Sequence, residues 1–202
     1  SEKEKAMFYT ALYHSLLLPS VSSDVDGSYR SFVTNQSRIL PFTERLDTTG
    51  AGRPFDILKT DPERFSVFSL WDTYRTLHPL LTLAYPEQQT KMVKTLIDKH
   101  HEGGALPLWS LNSIEYGAMV GDPAAIVIAD SYLKNLWDYD LKKAFEAVAD
   151  NCKSPEEGGN SFRRGHREYS ELGFIPEDLK APLGVWGTVS TAMEYSLADF
   201  AV

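Results

Sequence analysis

Hydrophobic residues recur at intervals of three and four along most of this chain, which is the spacing that places them on one face of an α-helix. The clearest stretch covers residues 86–101 and closes at Gly103-Gly104, because glycine favours the end of a helix. Its apolar face consists of Met92, Val93, Leu96 and Ile97. The pattern therefore predicts a helix with one buried face in this region.

Two further helices are predicted in the second half of the chain, and each has a recognisable start. Asp122-Pro123 combines an N-cap with proline at the first helical position and opens a helix that runs to residue 136, while Asp140 caps the next one. The predicted buried faces are Ala125, Ile128, Ala129, Tyr132 and Leu133 for the first helix, and Leu141, Ala144, Phe145, Val148, Ala149 and Cys152 for the second. Cys152 is thus predicted to be a core residue rather than a reactive thiol.

Helical patterns also reach both ends of the chain. They predict one helix over residues 1–18, another over residues 188–202, and a short one over residues 165–172 that ends at Gly173. The apolar faces of the two end helices are Met7, Phe8, Ala11, Leu12 and Leu16, and Val189, Ala192, Met193, Leu197 and Phe200. Because the last pattern stops without a cap, a glycine or a proline, it favours a chain that is a piece of a larger helical protein.

Residues 19–62 differ from the rest, because they are rich in serine, aspartate and glycine. An unstructured loop of this length is uncommon in a compact domain, so the β-prone stretch near Tyr29 predicts a two-stranded hairpin inside a partly irregular insertion. Elsewhere the recurring unit is a helix, a polar connection and another helix, which is typical of stacked αα-hairpins. We therefore predict an all-α array with one long insertion near residues 19–62.

Composition narrows the class of protein. Hydrophobic residues make up 43% of the 202 residues and charged residues 24%, as in soluble globular proteins. The net charge of −8, without a basic cluster, disfavours nucleic acid as a partner, because phosphate binding needs concentrated lysine and arginine. We expect no membrane span, since no apolar run is long enough. We also expect no metal site in this segment, because the histidines lack zinc-site spacing. No phosphate- or dinucleotide-binding motif occurs either.

The first connection that could carry chemistry contains Trp71, Asp72 and Arg75. A sugar ring needs an aromatic surface for its C–H face and bidentate hydrogen bonds for neighbouring hydroxyl groups, and these three residue types supply both. The alternative is that Asp72 and Arg75 form an i,i+3 surface ion pair and that Trp71 is a core residue. Residue types alone leave both interpretations open.

The second connection follows Gly103-Gly104 and contains Trp109 and Glu115. It lies between two predicted helices, and such connections often carry binding residues. Trp109 and Glu115 are therefore candidate ligand contacts. The alternative is that Trp109 covers the ends of the helices.

Several segments, taken in order and spacing, resemble glycoside hydrolase family 92. They cover residues 8–13, 69–75, 78–81, 104–109, 119–121, 128–132, 172–176 and 191–196. The resemblance implies an exo-acting, inverting α-mannosidase that requires calcium. It also implies an (α/α)6 toroid that follows a β-sandwich domain, with the active site between the two.

The same resemblance implies roles for individual residues. Trp71, Asp72 and Arg75 would belong to the mannose pocket, and Trp109 would line its rim. Many members of the family have Glu where this chain has Ser110, so no role is carried over to Ser110. The general acid, the catalytic base and most calcium ligands would lie beyond residue 202, which implies no catalytic residue in this segment.

We therefore expect residues 1–202 to be a fragment of one (α/α)6 catalytic domain, without the β-sandwich or the second half of the barrel. The expected function of the whole protein is hydrolysis of mannose from mannose-containing glycans, with α-1,2 linkages the expected substrate. Its expected partners are the remaining domains of the same enzyme, its expected location is secreted or periplasmic, and the isolated chain is expected to be inactive. The alternatives are another α/α-toroid glycosidase, or a non-catalytic carbohydrate-binding or structural helical domain.

Overall fold

Helices dominate the fold. A computed structural model describes residues 1–32, 37–39, 63–111, 114–153, 162–179 and 187–202. In these ranges the helices are α1 (Glu2–Ser15), α2 (Leu70–Thr73), α3 (Leu77–Ala84), α4 (Pro86–Gly103), α5 (Pro123–Leu133), α6 (Leu141–Asn151), α7 (His166–Leu172) and α8 (Thr188–Ala201). The strands are β1 (Ser20–Val21), β2 (Ser28–Arg30), β3 (Ser37–Ile39), β4 (Phe65–Ser66), β5 (Phe68–Ser69), β6 (Trp109–Leu111) and β7 (Ile114–Glu115). The predicted predominance of helix is confirmed.

Helix α4 lies at the centre of the core, as its periodicity predicts. It ends at Gly104, whose φ of 77° is the left-handed conformation that glycine adopts without strain. The predicted face of Met92, Val93, Leu96 and Ile97 is buried. Helix α4 packs against α3, α5 and α6, and α5 packs in turn against α6 and α8. Helices that follow one another along the chain are thus packed together, as in an array of helical hairpins.

The buried faces of α5 and α6 agree in part with the predicted ones, since Ala125, Ile128, Ala144 and Val148 are buried as predicted. In α5 the apolar Tyr132 and Leu133 are exposed, and the buried residues are Pro123, Ala124, Ala125, Val127, Ile128 and Ser131. In α6 the exposed residues include Leu141 and Phe145, and the buried ones are Ala144, Ala147, Val148 and Asn151. Alanines occur on both buried faces, where α5 packs against α4, α6 and α8 and α6 packs against α4 and α5.

The two end helices form, but their predicted apolar faces are exposed. No residue of α1 is buried, and Phe8 is 63% exposed. In α8 the buried residues are Thr191, Tyr195 and Ala198, whereas Val189, Met193, Leu197 and Phe200 face outwards. The face of α8 that packs on α5 is therefore the one that combines polar and apolar residues. Contiguous exposed apolar faces of this kind are typical of surfaces that bind a protein segment, a membrane or a ligand.

The insertion begins and ends at the same place in the fold. Strand β1 pairs antiparallel with β4 through Ser20–Ser66 and Val21–Phe65, which brings the two ends of the insertion together. Strands β2 and β3 pair antiparallel and confirm the predicted two-stranded hairpin. Near the end of α4, Glu102 accepts hydrogen bonds from Tyr29 Oη at 2.7 Å and Phe32 N at 3.0 Å, so the insertion is fastened to the core. Residues 33–36 and 40–62 of the predicted insertion lie outside the described residues.

A small antiparallel ribbon joins two distant parts of the chain. Strand β5 pairs with β6 through Phe68–Ser110 and Ser69–Trp109, and β6 pairs with β7 through Ser110–Glu115 and Leu111–Ile114. The all-α prediction missed this ribbon, because strands of two or three residues are too short to display a period of two.

Candidate functional site

The ribbon brings the two candidate connections into contact. Ser69 is the backbone partner of Trp109 in the pair of β5 with β6, and α2 begins at Leu70 directly after Ser69. Trp71 and Asp72, in the first turn of α2, therefore lie beside the Trp109 strand. The two candidate connections are therefore neighbours in the fold. Their roles in binding a ligand stay predictions.

The backbone that leads into α2 is strained. Val67, between β4 and β5, has a φ of 65°. A β-branched residue rarely adopts this left-handed conformation, and such strained positions cluster at functional sites. Two residues further on, Ser69 Oγ donates a hydrogen bond of 2.5 Å to Asp72 Oδ2, while Asp72 itself is exposed. Ser69 thus orients the carboxylate of Asp72, which is open to solvent.

Arg75 is paired with Glu194 rather than with Asp72. The Arg75 Nη2 group donates to Glu194 Oε1, and its guanidinium lies 5.3 Å from the ring centre of Trp71 and 4.5 Å from that of Tyr74. The proposed surface ion pair between Asp72 and Arg75 is therefore not the arrangement of this site. Trp71 is half-buried, and its Nε1–H has no hydrogen-bond partner in the described part of the chain.

Glu194 is a residue of this site that the sequence analysis did not single out. Its second oxygen accepts a hydrogen bond from Tyr74 Oη at 2.8 Å. Burial and this hydrogen bond raise the pKa of Tyr74 to about 12, so the phenol stays protonated as a donor. The carboxylate thus fixes Arg75 and Tyr74 together. The sequence signal that could have identified Glu194 is an acidic residue next to Tyr195 in a largely apolar helix.

Glu115 organises the loop that carries Trp109. Its carboxylate accepts hydrogen bonds from the backbone N–H groups of Leu108 at 3.0 Å, Trp109 at 2.8 Å and Gly117 at 2.7 Å. Ionised acceptors make stronger hydrogen bonds than neutral ones, so these three contacts define the shape of the loop. These hydrogen bonds give Glu115 a structural role in the loop. A direct contact between Glu115 and a ligand stays a prediction.

A buried lysine donates a hydrogen bond to β6, the strand that contains Trp109. Lys99 is 1% exposed, and its Nζ donates to Ser110 Oγ at 2.7 Å. Burial first, and then the nearby positive charge of Arg64, lower the pKa of Lys99 to about 7. Its ammonium lies 4.6 Å from the ring centre of Phe32. Lysine is rarely buried to this extent unless it is paired.

A pocket opens beside the Trp109 loop. Its volume is about 400 Å³, and its lining includes Leu108, Tyr116, Met119, Phe162, Arg164 and Tyr195. Gly117 and Gly121, which form one wall, have φ values of 58° and 88°. A Cβ atom at Gly121 would lie 2.9 Å from Glu194 Cβ, so the absence of a side chain allows the loop to approach α8.

The comparison with known families decides which protein this geometry belongs to. A family model described as the glycosyl hydrolase family 92 catalytic domain matches residues 1–202, which is the whole chain. The chain belongs to glycoside hydrolase family 92. The candidate site of Trp71, Asp72, Arg75 and Trp109 is therefore a site within a family 92 catalytic domain, as the sequence resemblance implied.

Solved family 92 structures have the same fold. A family GH92 alpha-mannosidase from Bacteroides thetaiotaomicron is 28% identical, with a TM-score of 0.79 over 98% of this chain and 23% of its own. A structure of the same mannosidase in complex with mannoimidazole has a TM-score of 0.77 over 96% of this chain and 22% of its own. A family GH92 inverting mannosidase from B. thetaiotaomicron VPI-5482 is 26% identical, with a TM-score of 0.71 over 95% of this chain and 23% of its own.

A curated relative points in the same direction. An uncharacterized secreted glycosidase of Arthroderma benhamiae is 30% identical over 112 residues, which are 53% of this chain and 14% of the relative. The chain thus spans less than a quarter of the length of these solved and curated relatives.

The described part of the family 92 chain does not by itself assemble a metal site. No group of three or more His, Cys, Asp or Glu side chains is placed to hold an ion in the described ranges. Calcium takes six to eight oxygen ligands, usually with several carboxylates. Of the carboxylates at the site, Glu115 and Glu194 are occupied by backbone N–H groups and by Arg75 and Tyr74, which leaves Asp72 open. The described residues alone therefore do not form a complete calcium site.

Proposed function

We propose that this chain is part of a glycoside hydrolase that removes mannose from mannose-containing glycans. The observation that carries the proposal is the stacking of Arg75 on Trp71, in a helix that follows the strand paired with Trp109, within a family 92 catalytic domain. Aromatic rings pack on the C–H face of a sugar, and a guanidinium donates paired hydrogen bonds to adjacent hydroxyl groups. Glu194 holds Arg75 in place before a ligand arrives.

Asp72 is the acceptor of this proposed pocket. Its carboxylate is exposed and receives one hydrogen bond from Ser69, so acceptor positions remain for sugar hydroxyl groups. The buried Nε1–H of Trp71 lacks a partner, and a buried donor without a partner calls for a group from outside the described residues. Both features support a site that a ligand or another part of the enzyme completes.

We propose that the acid and the base of hydrolysis lie outside residues 1–202. An inverting glycosidase needs a protonated carboxyl group and a basic carboxylate about 6.5–9.5 Å apart on opposite sides of the bond. Of the acids near the site, Glu115 and Glu194 are engaged in structural hydrogen bonds, and only Asp72 is open. The exo-acting mode, the inversion, the preference for α-1,2 linkages and the calcium cofactor are parts of the same proposal, with most calcium ligands outside this segment.

The partners of the chain are proposed to be the remaining domains of the same enzyme. The uncovered apolar faces of α1 and α8 support an (α/α)6 toroid in which further helices pack on these two. The name of the fungal relative, a secreted glycosidase, supports a secreted or periplasmic location. Among the described helices, none is both long enough and apolar enough to cross a bilayer.

The proposed function is tested by replacing Asp72 with alanine in the enzyme that contains this segment. We expect kcat/KM for an aryl α-mannoside to fall about 10- to 100-fold, because a hydrogen bond to a charged group contributes about 1.5–3 kcal/mol. The matched control is Asp138→Ala, which removes a carboxylate that is 91% exposed and pairs with Lys94. The control should retain the parent rate. An unchanged rate for Asp72→Ala removes Asp72 from the pocket.

A second experiment tests where the catalytic groups lie. The 202-residue chain alone, mixed with an aryl α-mannoside and calcium, should show no turnover, because the acid and the base are proposed to be elsewhere. Calcium titration calorimetry should show no tight binding for the same reason. Turnover that a chelator abolishes would contradict the proposal that the segment is incomplete. Absence of mannosidase activity in the longer protein would favour a carbohydrate-binding or structural role.

A further inference from the structure

The amine of Lys99, in α4, lies against the ribbon that joins the two candidate connections. Its Nζ donates a hydrogen bond of 2.7 Å to Ser110 Oγ and lies 5.8 Å from the ring centre of Phe68. Phe68 and Ser110 are directly opposite each other in β5 and β6, so their side chains lie on the same face of the ribbon. One buried amine therefore contacts both strands at a single pair of residues.

The next pair of the ribbon belongs to the candidate site. Successive side chains of a strand alternate between its two faces, so Ser69 and Trp109 lie on the face away from Lys99. The hydroxyl group of Ser69 donates to Asp72. The pair that contacts Lys99 therefore sets the spacing between Trp109 and the Ser69–Asp72 contact, because the two pairs are adjacent along both strands.

The insertion meets Lys99 at the same point. The ring centre of Phe32 lies 4.6 Å from Lys99 Nζ, and Phe32 N donates to Glu102 in α4 at 3.0 Å. Phe32, Phe68 and Ser110 are all buried. Because protein interiors are close-packed, a change in the hydration of the enclosed amine displaces the groups around it.

The charged groups that face Lys99 favour its neutral form. Glu102 lies 3.1 Å from Arg64 Nη2 and accepts a hydrogen bond from Tyr29 Oη, and Glu115 of β7 accepts from three backbone N–H groups. In the described part of the chain, both nearby carboxylates are thus engaged by other groups. The positive charge of Arg64 opposes a second cation. The neutral amine therefore fits the packed structure better than the ammonium does.

We propose that Lys99 is a positioning residue of the proposed mannose site, and that sugar binding at Trp109 and Asp72 is favoured when Lys99 is neutral and weakened when Lys99 carries a proton. The inference rests on the proposed mannosidase function and adds a means of regulating the same site. A buried ammonium group requires water or a counter-charge, and it gains access to water when the ribbon loosens from α4. Loosening shifts Trp109 relative to α2.

The change of charge falls near neutral pH. Burial first, and then the charge of Arg64, lower the pKa of Lys99 to about 7, so the ammonium predominates in the folded protein only below that pH. Sugar binding should therefore weaken as the pH falls through neutrality.

The experiment follows KM of the whole enzyme for an aryl α-mannoside between about pH 5.5 and pH 9, in the parent and in Lys99→Met. Groups that take part in the reaction titrate in both proteins, so they cancel in the ratio of the two KM values. Towards low pH we expect KM of the parent to rise at least about fivefold relative to that of Lys99→Met, the lower end of typical coupling between two sites. The ratio of the kcat values should stay constant, because Lys99 does not touch the reacting atoms.

Lys99→Gln is a second variant, since its amide can donate to Ser110 without a charge, and it should lack the same rise in KM. The matched control is Lys94→Met, the same change at an exposed position of α4 that pairs with Asp138, and its KM should follow that of the parent at every pH. KM ratios that do not vary with pH for the Lys99 variants would overturn the proposal, as would an equal effect of Lys94→Met. If the parent enzyme hydrolyses no mannoside, the proposed mannosidase function fails instead.

Discussion

Replacing Arg163 with alanine is expected to lower the free energy of unfolding by about 3–5 kcal/mol, because removal of one partner leaves a buried charge uncompensated. The charge that loses its partner is that of Asp122, which is 3% exposed and accepts hydrogen bonds from Arg163 Nε at 3.1 Å and Nη2 at 3.0 Å. Arg163 also contacts Asp199 of α8 and the sulfur of Cys152, so one side chain joins three helices. Chemical denaturation monitored by circular dichroism measures the change.

Arg167→Ala is the matched control for this experiment. Its ion pair with Glu171 is more than half exposed on both sides, so its loss should cost less than about 1 kcal/mol. A loss below about 1 kcal/mol for Arg163→Ala would show that water replaces the guanidinium beside Asp122. Cys152 is half-buried rather than the core residue that was predicted, but burial raises the pKa of its thiol to about 11, so the thiol stays protonated at neutral pH.

The second large effect concerns the buried lysine behind the Trp109 strand. Between pH 6 and pH 9 we expect the parent protein to gain about 2–3 kcal/mol of stability relative to Lys99→Met. The unfolded chain keeps the lysine proton up to its ordinary pKa of 10.5, whereas the folded state releases it near pH 7. Between these values the unfolded state binds more protons, so stability rises with pH.

Methionine keeps the length of the side chain and removes the titrating amine, so the other titrating groups cancel in the difference between the two proteins. The measurement is the free energy of unfolding of both proteins at pH 6, 7.5 and 9. Below pH 7 the cost of a buried ammonium is fully present, and Lys99→Met should be the more stable protein there. Parallel pH profiles would show that Lys99 keeps its proton in the fold, with Phe32 and Ser110 as sufficient partners.

The central helix was predictable from the sequence. In α4 the four predicted core residues are buried, because the helix packs against α3, α5 and α6. In α8 the more apolar face is exposed, since the contact with α5 uses Thr191, Tyr195 and Ala198. Periodicity reports which residues are apolar, but the neighbouring helix decides which are covered.

A buried polar chain shows the same limit inside the core. His78 is 1% exposed, its Nδ1 makes a hydrogen bond of 2.9 Å with Gln89 Oε1, and Gln89 Nε2 donates to Ser131 at 3.0 Å. Burial lowers the pKa of His78 to about 4, so the imidazole is neutral at physiological pH. In the sequence these three residues look like ordinary polar positions, because 11 positions separate His78 from Gln89 and 42 positions separate Gln89 from Ser131.

The candidate site was predictable in part. Trp71, Asp72 and Trp109 were found because unusual residue types cluster in short connections, and the ribbon indeed places them together. Glu194, Lys99 and Arg164 were missed, since each acts through a partner at least 11 positions away. Their residue types are common on helix surfaces, and only the packing of the helices distinguishes them.

The glycine wall of the pocket limits how this enzyme lineage can change the shape of that pocket. At Gly117 a Cβ atom would lie 3.1 Å from Arg164 Nη2, and at Gly121 it would lie 2.9 Å from Glu194 Cβ. Both positions also have positive φ values, which side chains rarely adopt. Changes in the shape of the pocket are therefore easier at lining positions with a side chain, such as Tyr116 and Phe162, than at these two glycines.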